Sequence, residues 1–259
     1  MKMEYVLITG ATSGIGYALA KIFYEEGESL ILVGRNEQKL QDTKEMLLSL
    51  KEQLHQEVIV ICQDLNQENA AQKVYEEVKA HNLSVKILVN NAGAGYVGQF
   101  VEEDIEEIVQ QKHLNMVSLT VLTRYFAEEM KKKGTGKILN VASTGAYHPG
   151  VYTAVYYATK AYVLSLSEAL YEELKPLGIH VASLCPGATR TNFAQAAGRV
   201  DAPIAMTAEV VAKKAYRGLI KNKRLIVPGI KNKFWIKMPK KFAVPCIKRY
   251  QKKLKINHE

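Results

Sequence analysis

"EYVLITGATSGIG", residues 4 to 16, decides how the rest of the chain is read. Its first half is an apolar run without polar alternation, the pattern of a strand buried on both faces. Its second half places Gly10, Gly14 and Gly16 close together, with Thr12, Ser13 and Ile15 between them, and a helical pattern follows at once. Glycines at a strand-to-helix turn let the backbone approach a pyrophosphate, whose charge is favoured by the free amides and positive dipole end of the helix. The spacing departs from Gly-x-Gly-x-x-Gly, so on these residues alone a tight turn with no ligand stays open.

Six more Val/Ile/Leu-rich runs follow: "LILVG" at 30–34, "EVIVIC" at 57–62, "KILVNNAG" at 86–93, "KILNVAS" at 137–143, "HVASLCPG" at 180–187 and "RLIVPG" at 224–229. Between them the periodicity predicts helices over 14–27, 37–54, 67–81, 102–132, 155–175 and 208–221, the last capped by Thr207. Strands alternating with helices imply an α/β fold, a parallel sheet flanked by helices on both faces. The expected organisation is one doubly wound domain over residues 1–229 and a basic carboxyl-terminal extension over 230–259. Residues 188–207 and the chain beyond Pro228 receive no element at this stage.

A chain of 259 residues with 47% hydrophobic content suits one large domain. No apolar run reaches the roughly 18 to 20 residues that span a bilayer, and the amino terminus enters its strand without the zones of a signal peptide, so a cytoplasmic address is expected. Cys62, Cys185 and Cys246 are far apart and lack a zinc or redox spacing, which favours reduced structural thiols and no metal site. The net charge of +9 is concentrated: residues 221–259 hold 13 Lys/Arg and one acid, against 22 Lys/Arg and 25 Asp/Glu in residues 1–220.

Two features add chemistry. An NAD site would place Asp or Glu at the end of the second strand to receive the ribose hydroxyls, but Gly34 and Arg35 stand there. Loss of the acid and gain of a guanidinium favour a 2′-phosphate and hence NADP(H), unless Arg35 is only a solvated charge at the start of a helix. The second feature is "YYATK", residues 156–160. Positions four apart share a helix face, so Lys160 stands beside Tyr156, and an ammonium there favours the ionised phenol and readies it for proton transfer. Tyr157 points elsewhere and is expected in packing or an interface.

In this order and spacing, "TGATSGIG", "NNAG" at 90–93, Asn115, Ser143, "YYATK" and "PGATRT" at 186–191 resemble the short-chain dehydrogenase/reductase family over about residues 4 to 228, with Ser143 and Tyr156 separated by 13 positions as in that family. The resemblance implies a Rossmann-type, seven-stranded parallel sheet in the order 3-2-1-4-5-6-7. It implies a catalytic set of Asn115, Ser143, Tyr156 and Lys160. Tyr156 gives the proton to a carbonyl or takes it from an alcohol, and Lys160 lowers its pKa and binds the nicotinamide ribose. Ser143 hydrogen-bonds the carbonyl oxygen, and Asn115 supports a water-linked proton relay to Lys160. Among cofactor contacts it implies Asp64 and Leu65 at the adenine, and Asn91, Ala92 and Gly93 along the cleft. Pro186, Gly187, Thr189 and Thr191 are implied at the carboxamide and pyrophosphate. Asp64 as a helix cap and Gly93 as a plain turn remain alternatives.

The family implies a carbonyl/alcohol oxidoreductase and a homodimer or homotetramer packed through the helices of Asn115 and Tyr156. The substrate wall is expected from residues 188–207 with Ala146, Tyr147 and Val151, leaning toward a hydrophobic ketone, a 3-oxoacyl or a steroid-like compound. A sugar, amino-acid or hydroxy-acid dehydrogenase is the rival reading, and a dinucleotide sensor without turnover is a third. Beyond Pro245, read as the first helical residue, Ile247, Tyr250 and Leu254 recur at helical spacing among cations. Such a helix suits an anionic membrane surface, or packs its apolar side over the cleft or a second subunit; nucleic acid is not expected.

Overall fold

Strand β1 (Glu4–Thr9) is buried from Tyr5 onward. Successive side chains of a strand point to opposite faces. Val6 and Ile8 accordingly join one core with Leu19, Phe23, Val211 and Leu219, while Tyr5 and Leu7 join another with Val74, Phe126 and Met130. A strand buried on both sides needs helices on both sides, and the computed structural model, which describes residues 3–50, 56–198, 200 and 204–254, supplies them.

The strands β2 (Ser29–Gly34), β3 (Val58–Cys62), β4 (Ser84–Asn90), β5 (Gly136–Val141) and β6 (Ile179–Leu184) follow in chain order. Two two-residue strands, β7 (Thr189–Arg190) and β8 (Met206–Thr207), pair with each other, and β9 (Leu225–Ile226) ends the main sheet. That sheet has seven strands in the order β3-β2-β1-β4-β5-β6-β9, every pair parallel. The seven apolar runs of the sequence are its seven strands, in the expected order. Because β2 lies on one side of β1 and β4 on the other, the connections diverge at β1. Open α/β sheets bind ligands in the crevice such a reversal leaves beyond the carboxyl ends of the strands.

The helices are α1 (Gly14–Glu25), α2 (Glu37–Leu48), α3 (Ala70–Ala80), α4 (Ile105–Lys112), α5 (Leu119–Lys133), α6 (Ala154–Leu174), α7 (Asn192–Ala196), α8 (Ala208–Ile220), α9 (Ile230–Trp235) and α10 (Lys240–Leu254). Three expectations change. The helix expected over 37–54 ends at Leu48, and positions 51–54 lie outside the described residues. The one expected over 67–81 begins at Ala70, after Asn69 turns the chain at a φ of 57°. The segment expected as one helix over 102–132 is a 3₁₀ turn at Phe100–Glu102, then α4, a π-helical stretch His113–Ser118 and α5. Asn115 therefore does not break the helix; it sits in a wider turn, the kind of insertion that recurs at functional sites.

Thr207 caps α8 as expected, accepting from Val210 N at 3.4 Å. The stretches left unassigned by sequence contain β7, α7 and β8, and then α9, while the helix read from Pro245 is α10. Helix α10 starts before Pro245: the amides of Phe242 and Ala243 both donate to the Pro239 carbonyl, so Pro239 opens the helix and Pro245 lies inside it. Among the described residues no helix is long and apolar enough to cross a membrane.

Candidate active site

A cavity of about 1350 Å³ runs along the carboxyl ends of β1, β2, β4, β5 and β6. The turn after β1 forms one end. Gly10 and Gly14 hold φ values of +64° and +54°, the left-handed region that glycine adopts without strain. A Cβ on Gly16 would collide with the Gly10 carbonyl oxygen and the Asn91 amide. The Asn91 side chain explains the fit: Nδ2 donates to Thr9 O at 2.9 Å and Gly10 O at 3.1 Å, while the backbone amides of Asn91 and Ala92 donate to Thr9 Oγ1 at 3.0 Å. "NNAG" thus ties the end of β4 to the glycine turn.

Helix α1 begins at this turn without a side-chain cap at Ser13 and without an acid in its first turn. By contrast, α2, α4, α7 and α8 are capped by Asn36, Asp104, Thr191 and Thr207. An uncapped helix start facing a cavity is a seat for an anion. Gly10, Thr12, Ser13, Gly14 and Ile15 all line the cavity. Arg35 does too; it is exposed and precedes the cap Asn36, with Lys39 beside it on the same wall.

Asp64 and Leu65 line the adjoining wall. Asp64 Oδ1 accepts from Asn66 N at 3.0 Å, closing a local turn, and it does not cap α3. The Leu65 carbonyl accepts from Ser118 Oγ at 2.6 Å, which docks the π-helical stretch here.

Ser143 and Tyr156 both line the cavity. Ser143 Oγ accepts from Gly145 N at 3.0 Å, and this bond leaves its proton available. Lys160 lies one turn beyond Tyr156 with Nζ 5.8 Å from the centre of the phenol ring. It does not line the cavity but stands behind it, buried, donating to Val141 O at 2.7 Å. Burial lowers its pKa from 10.5 to about 8. Gly93 leaves room for this ammonium: a Cβ there would stand 3.4 Å from Nζ and 3.1 Å from Asn115 Oδ1.

Asn115, fully buried, accepts from Ala94 N at 2.9 Å and donates to Ala94 O at 2.8 Å and Thr159 Oγ1 at 3.0 Å. Its amide fastens the loop after β4, at Ala94, to α6, at Thr159. Gly95, unremarked in the sequence, belongs to the same joint: a Cβ there would press on Phe193 at 2.8 Å and on the Tyr156 ring at 3.0 Å.

The far wall brings a correction. Ala146, Tyr147 and Val151 do not line the cavity. Residues 144–147 form a 3₁₀ turn, and Tyr147 packs with Leu119, Val163, Leu164 and Cys185 behind the site. Burial, and then Cys185, raise the Tyr147 hydroxyl well above the phenol range, and burial pushes the Cys185 thiol up to about 12. Cys185 alone of the three cysteines is buried; Cys62 and Cys246 are exposed.

Tyr157 takes the vacated place, lining the cavity with its ring against Gly145 and Gly150. The stretch 188–207 does build this wall, through residues that include Phe193, Gln195 and Ile204. Pro186, Gly187, Thr189 and Thr191 line it as well, and the Thr191 methyl stands over Gly14, so this segment reaches across to the glycine turn.

The basic extension closes the far side. Trp235, Ile247, Tyr250 and Gln251 line the cavity. His148 Nε2 lies 3.0 Å from Trp235 O, Val200 N donates to Leu254 O at 3.1 Å, and a Cβ on Gly187 would stand 2.6 Å from the Asn232 side chain. The buried face of α10 is Ala243, Ile247, Gln251 and Leu254. The apolar spacing was visible in the sequence, and in this structure that face packs against the domain and the cleft. Gln251 and Trp235 carried no local signal.

The residues fit a dinucleotide: a glycine cradle that a Cβ would block, an open helix start for a pyrophosphate, and a cation where an acid would repel a ribose phosphate. The chain is 35% identical over 207 residues to YvrD, an uncharacterized oxidoreductase of Bacillus subtilis, covering 77% of this chain and 76% of that one. It is 31% identical over 198 residues to the very-long-chain 3-oxoacyl-CoA reductase of Rattus norvegicus, covering 74% of this chain but 61% of the rat protein. Among solved structures, a short-chain dehydrogenase from Sphingobium yanoikuyae in complex with NADPH superposes with a TM-score of 0.83 at 30% identity, over 99% of this chain and 97% of that one. The bulky-bulky ketone specific alcohol dehydrogenase from Comamonas testosteroni gives 0.79 at 29% identity, over 100% and 96%. The family model described as short chain dehydrogenase matches residues 4–201, the same span that carries the glycine turn, the "NNAG" tie and the Tyr156–Lys160 pair. Sheet order, crevice and relatives converge: the chain belongs to the short-chain dehydrogenase/reductase family of oxidoreductases.

Proposed function

We propose that this chain interconverts a bulky, largely apolar ketone and its secondary alcohol with NADP(H), Tyr156 acting as general acid and base. The observation that carries the proposal is the joint of α6 with the cavity: a phenol and a serine hydroxyl face one space, with an ammonium buried behind the phenol. When bound, the nicotinamide supplies or accepts the hydride. Tyr156 gives its proton to the carbonyl oxygen in reduction and recovers it in oxidation. Ser143 donates a hydrogen bond to the same oxygen, where negative charge grows. Lys160, with its pKa at about 8, holds its proton at neutral pH and favours the ionised phenol. Asn115 positions the loop and the helix that carry these groups.

Arg35 and Lys39, on the cavity wall beyond the glycine turn, support the preference for a 2′-phosphate. Phe193, Trp235, Ile204 and Ile247 on the far wall support an apolar substrate, in keeping with the ketone and 3-oxoacyl substrates named for two of the similar proteins. A homo-oligomer formed through α5 and α6 is part of the reading. The outward side of the extension keeps the membrane expectation in a narrower form, with Ile230, Phe234 and Phe242 exposed among lysines.

The experiment is a panel of bulky ketones, acyl thioesters, sugars and hydroxy acids, followed by cofactor absorbance in both directions with both cofactors. Consumption of NADPH with bulky ketones is expected. Protein that binds NADPH yet turns over nothing in the panel would point to the sensor reading.

A further inference from the structure

On the buried face of α10, three of four residues are apolar or small: Ala243, Ile247 and Leu254. The fourth is Gln251, 3% exposed and lining the cavity. Its Nε2 lies 3.5 Å from Tyr157 Oη, and its buried Oε1 has no hydrogen-bond partner among the described residues. Leaving a buried amide oxygen unmatched costs about 1–3 kcal/mol, and native structures retain few such groups without a use. A leucine or methionine at this position would continue the apolar face without that cost.

The location specifies the use. Tyr157 follows the proposed proton donor in sequence, the two rings lie 6.1 Å apart, and Gln251 stands against the Tyr157 hydroxyl, so an aromatic ring separates it from the Tyr156 ring along the wall. None of the residues that α9 and α10 contribute to the wall is charged. A carboxylate or ammonium would find no counter-charge here. An amide offers a donor and an acceptor side by side, and a hydroxyl matches either atom, whichever of them faces Tyr157.

We infer that Gln251, with Tyr157, forms a distal polar subsite that recognises a neutral hydroxyl carried by the substrate at the end remote from its reacting carbonyl. The inference rests on the carbonyl reading of the cavity and narrows it to hydroxylated, otherwise apolar ketones.

The test uses 2-tetralone, 6-hydroxy-2-tetralone and 6-methyl-2-tetralone with the full-length protein. Dissociation constants are measured by calorimetry on protein saturated with NADP⁺, and kcat/KM with NADPH. The wild type is expected to bind the hydroxy ketone about tenfold more tightly than the other two, in line with one matched buried hydrogen bond. In Gln251→Met the ratio should fall to about one. Equal binding of the three ketones by the wild type, failure to bind any of them, or a hydroxyl preference that survives in Gln251→Met overturns the subsite. The wild-type comparison with the methyl compound does not depend on how a variant folds. The two readings also fail separately: reduction without hydroxyl preference removes the subsite alone, whereas hydroxyl-dependent binding without turnover removes the reductase reading and leaves the subsite.

Discussion

The two walls of the cavity are built by different rules. On the side of β1, β2 and β4, the glycine turn, Arg35 and Asn91 lie just beyond strand ends, and backbone geometry fixes the turn: positive φ at Gly10 and Gly14, and Asn91 bonded to Thr9 and Gly10. On the far side, residues meet through packing between distant segments, such as Gln251 with Tyr157, 94 positions apart, and His148 with Trp235, 87 apart. The first wall suits a part common to many reactions, and the second a part that differs from one substrate to the next. Loops and appendages over a rigid scaffold are where specificity is varied at least cost to the fold.

Substitutions that respect this division should separate its two halves. The largest effect is expected at the junction. Tyr156→Phe removes one hydroxyl from a helix that otherwise stays packed, and general acid catalysis contributes roughly 10²–10⁴-fold. Turnover should fall by about a thousandfold while NADPH binds within about threefold of wild type, by stopped-flow fluorescence. Ordinary turnover in this variant would remove the proposed chemistry, and loss of NADPH binding would show that the two walls are not separable.

Arg35→Glu addresses the first wall alone. Charge-assisted hydrogen bonds to a phosphate are worth about 1.5–3 kcal/mol, so the ratio of kcat/KM for NADPH over NADH should drop by roughly 10- to 100-fold. The relative rates for different ketones should not move. An unchanged cofactor ratio would make Arg35 the solvated charge that its exposure also permits.

The same division governs what could be read from the sequence. All seven strands of the main sheet were legible, because a strand buried on both faces has to be apolar throughout. Gly10, Gly14 and Arg35 line the cavity where strand-end reasoning puts them, and Asp64 and Asn91 line it where the family resemblance implies. Tyr147 falls behind the site because a 3₁₀ turn after Ser143 rotates the chain by an amount that no periodicity encodes. Tyr157 was assigned to packing for the matching reason: its helix angle was known, but not that Gly145 and Gly150 leave space for its ring beside the cavity. Gln251 was invisible, since a glutamine on a lysine-rich helix reads as solvent-facing until the partner surface is known. The π-helical turn at Asn115 depends on docking against Leu65 and Ala94, contacts that local propensity does not record.

Lys160 belongs to neither wall, and its burial makes a prediction about stability rather than rate. Its folded pKa of about 8 lies below the ordinary value of 10.5, so between those pH values the unfolded chain holds more protons than the folded one. Stability from this group therefore rises with pH across that window, and the penalty is fully present below about pH 8. Lys160→Met has no such group. Its unfolding free energy relative to wild type should decline by about 3 kcal/mol between pH 8 and 10.5, read from urea melts of both proteins at each pH. A difference that is flat across the window would mean that the ammonium is not desolvated in the folded protein.

The smallest effect is expected on the outside of the second wall, where packing and charge compete for the same extension. Docking commits Ala243, Ile247 and Leu254 to the domain and leaves Ile230, Phe234 and Phe242 exposed among the lysines. Each basic group near an anionic bilayer contributes on the order of 1 kcal/mol, an attraction that salt screens, whereas insertion of an apolar helix face survives salt. Adsorption to phosphatidylserine vesicles should therefore be modest at low ionic strength and absent in 0.5 M salt (about a 4 Å screening length). Adsorption that persists in high salt would require the apolar face of α10 to leave the cavity for the bilayer. The second wall would then be a movable cover, and the ketone preference measured with vesicles present should weaken in parallel.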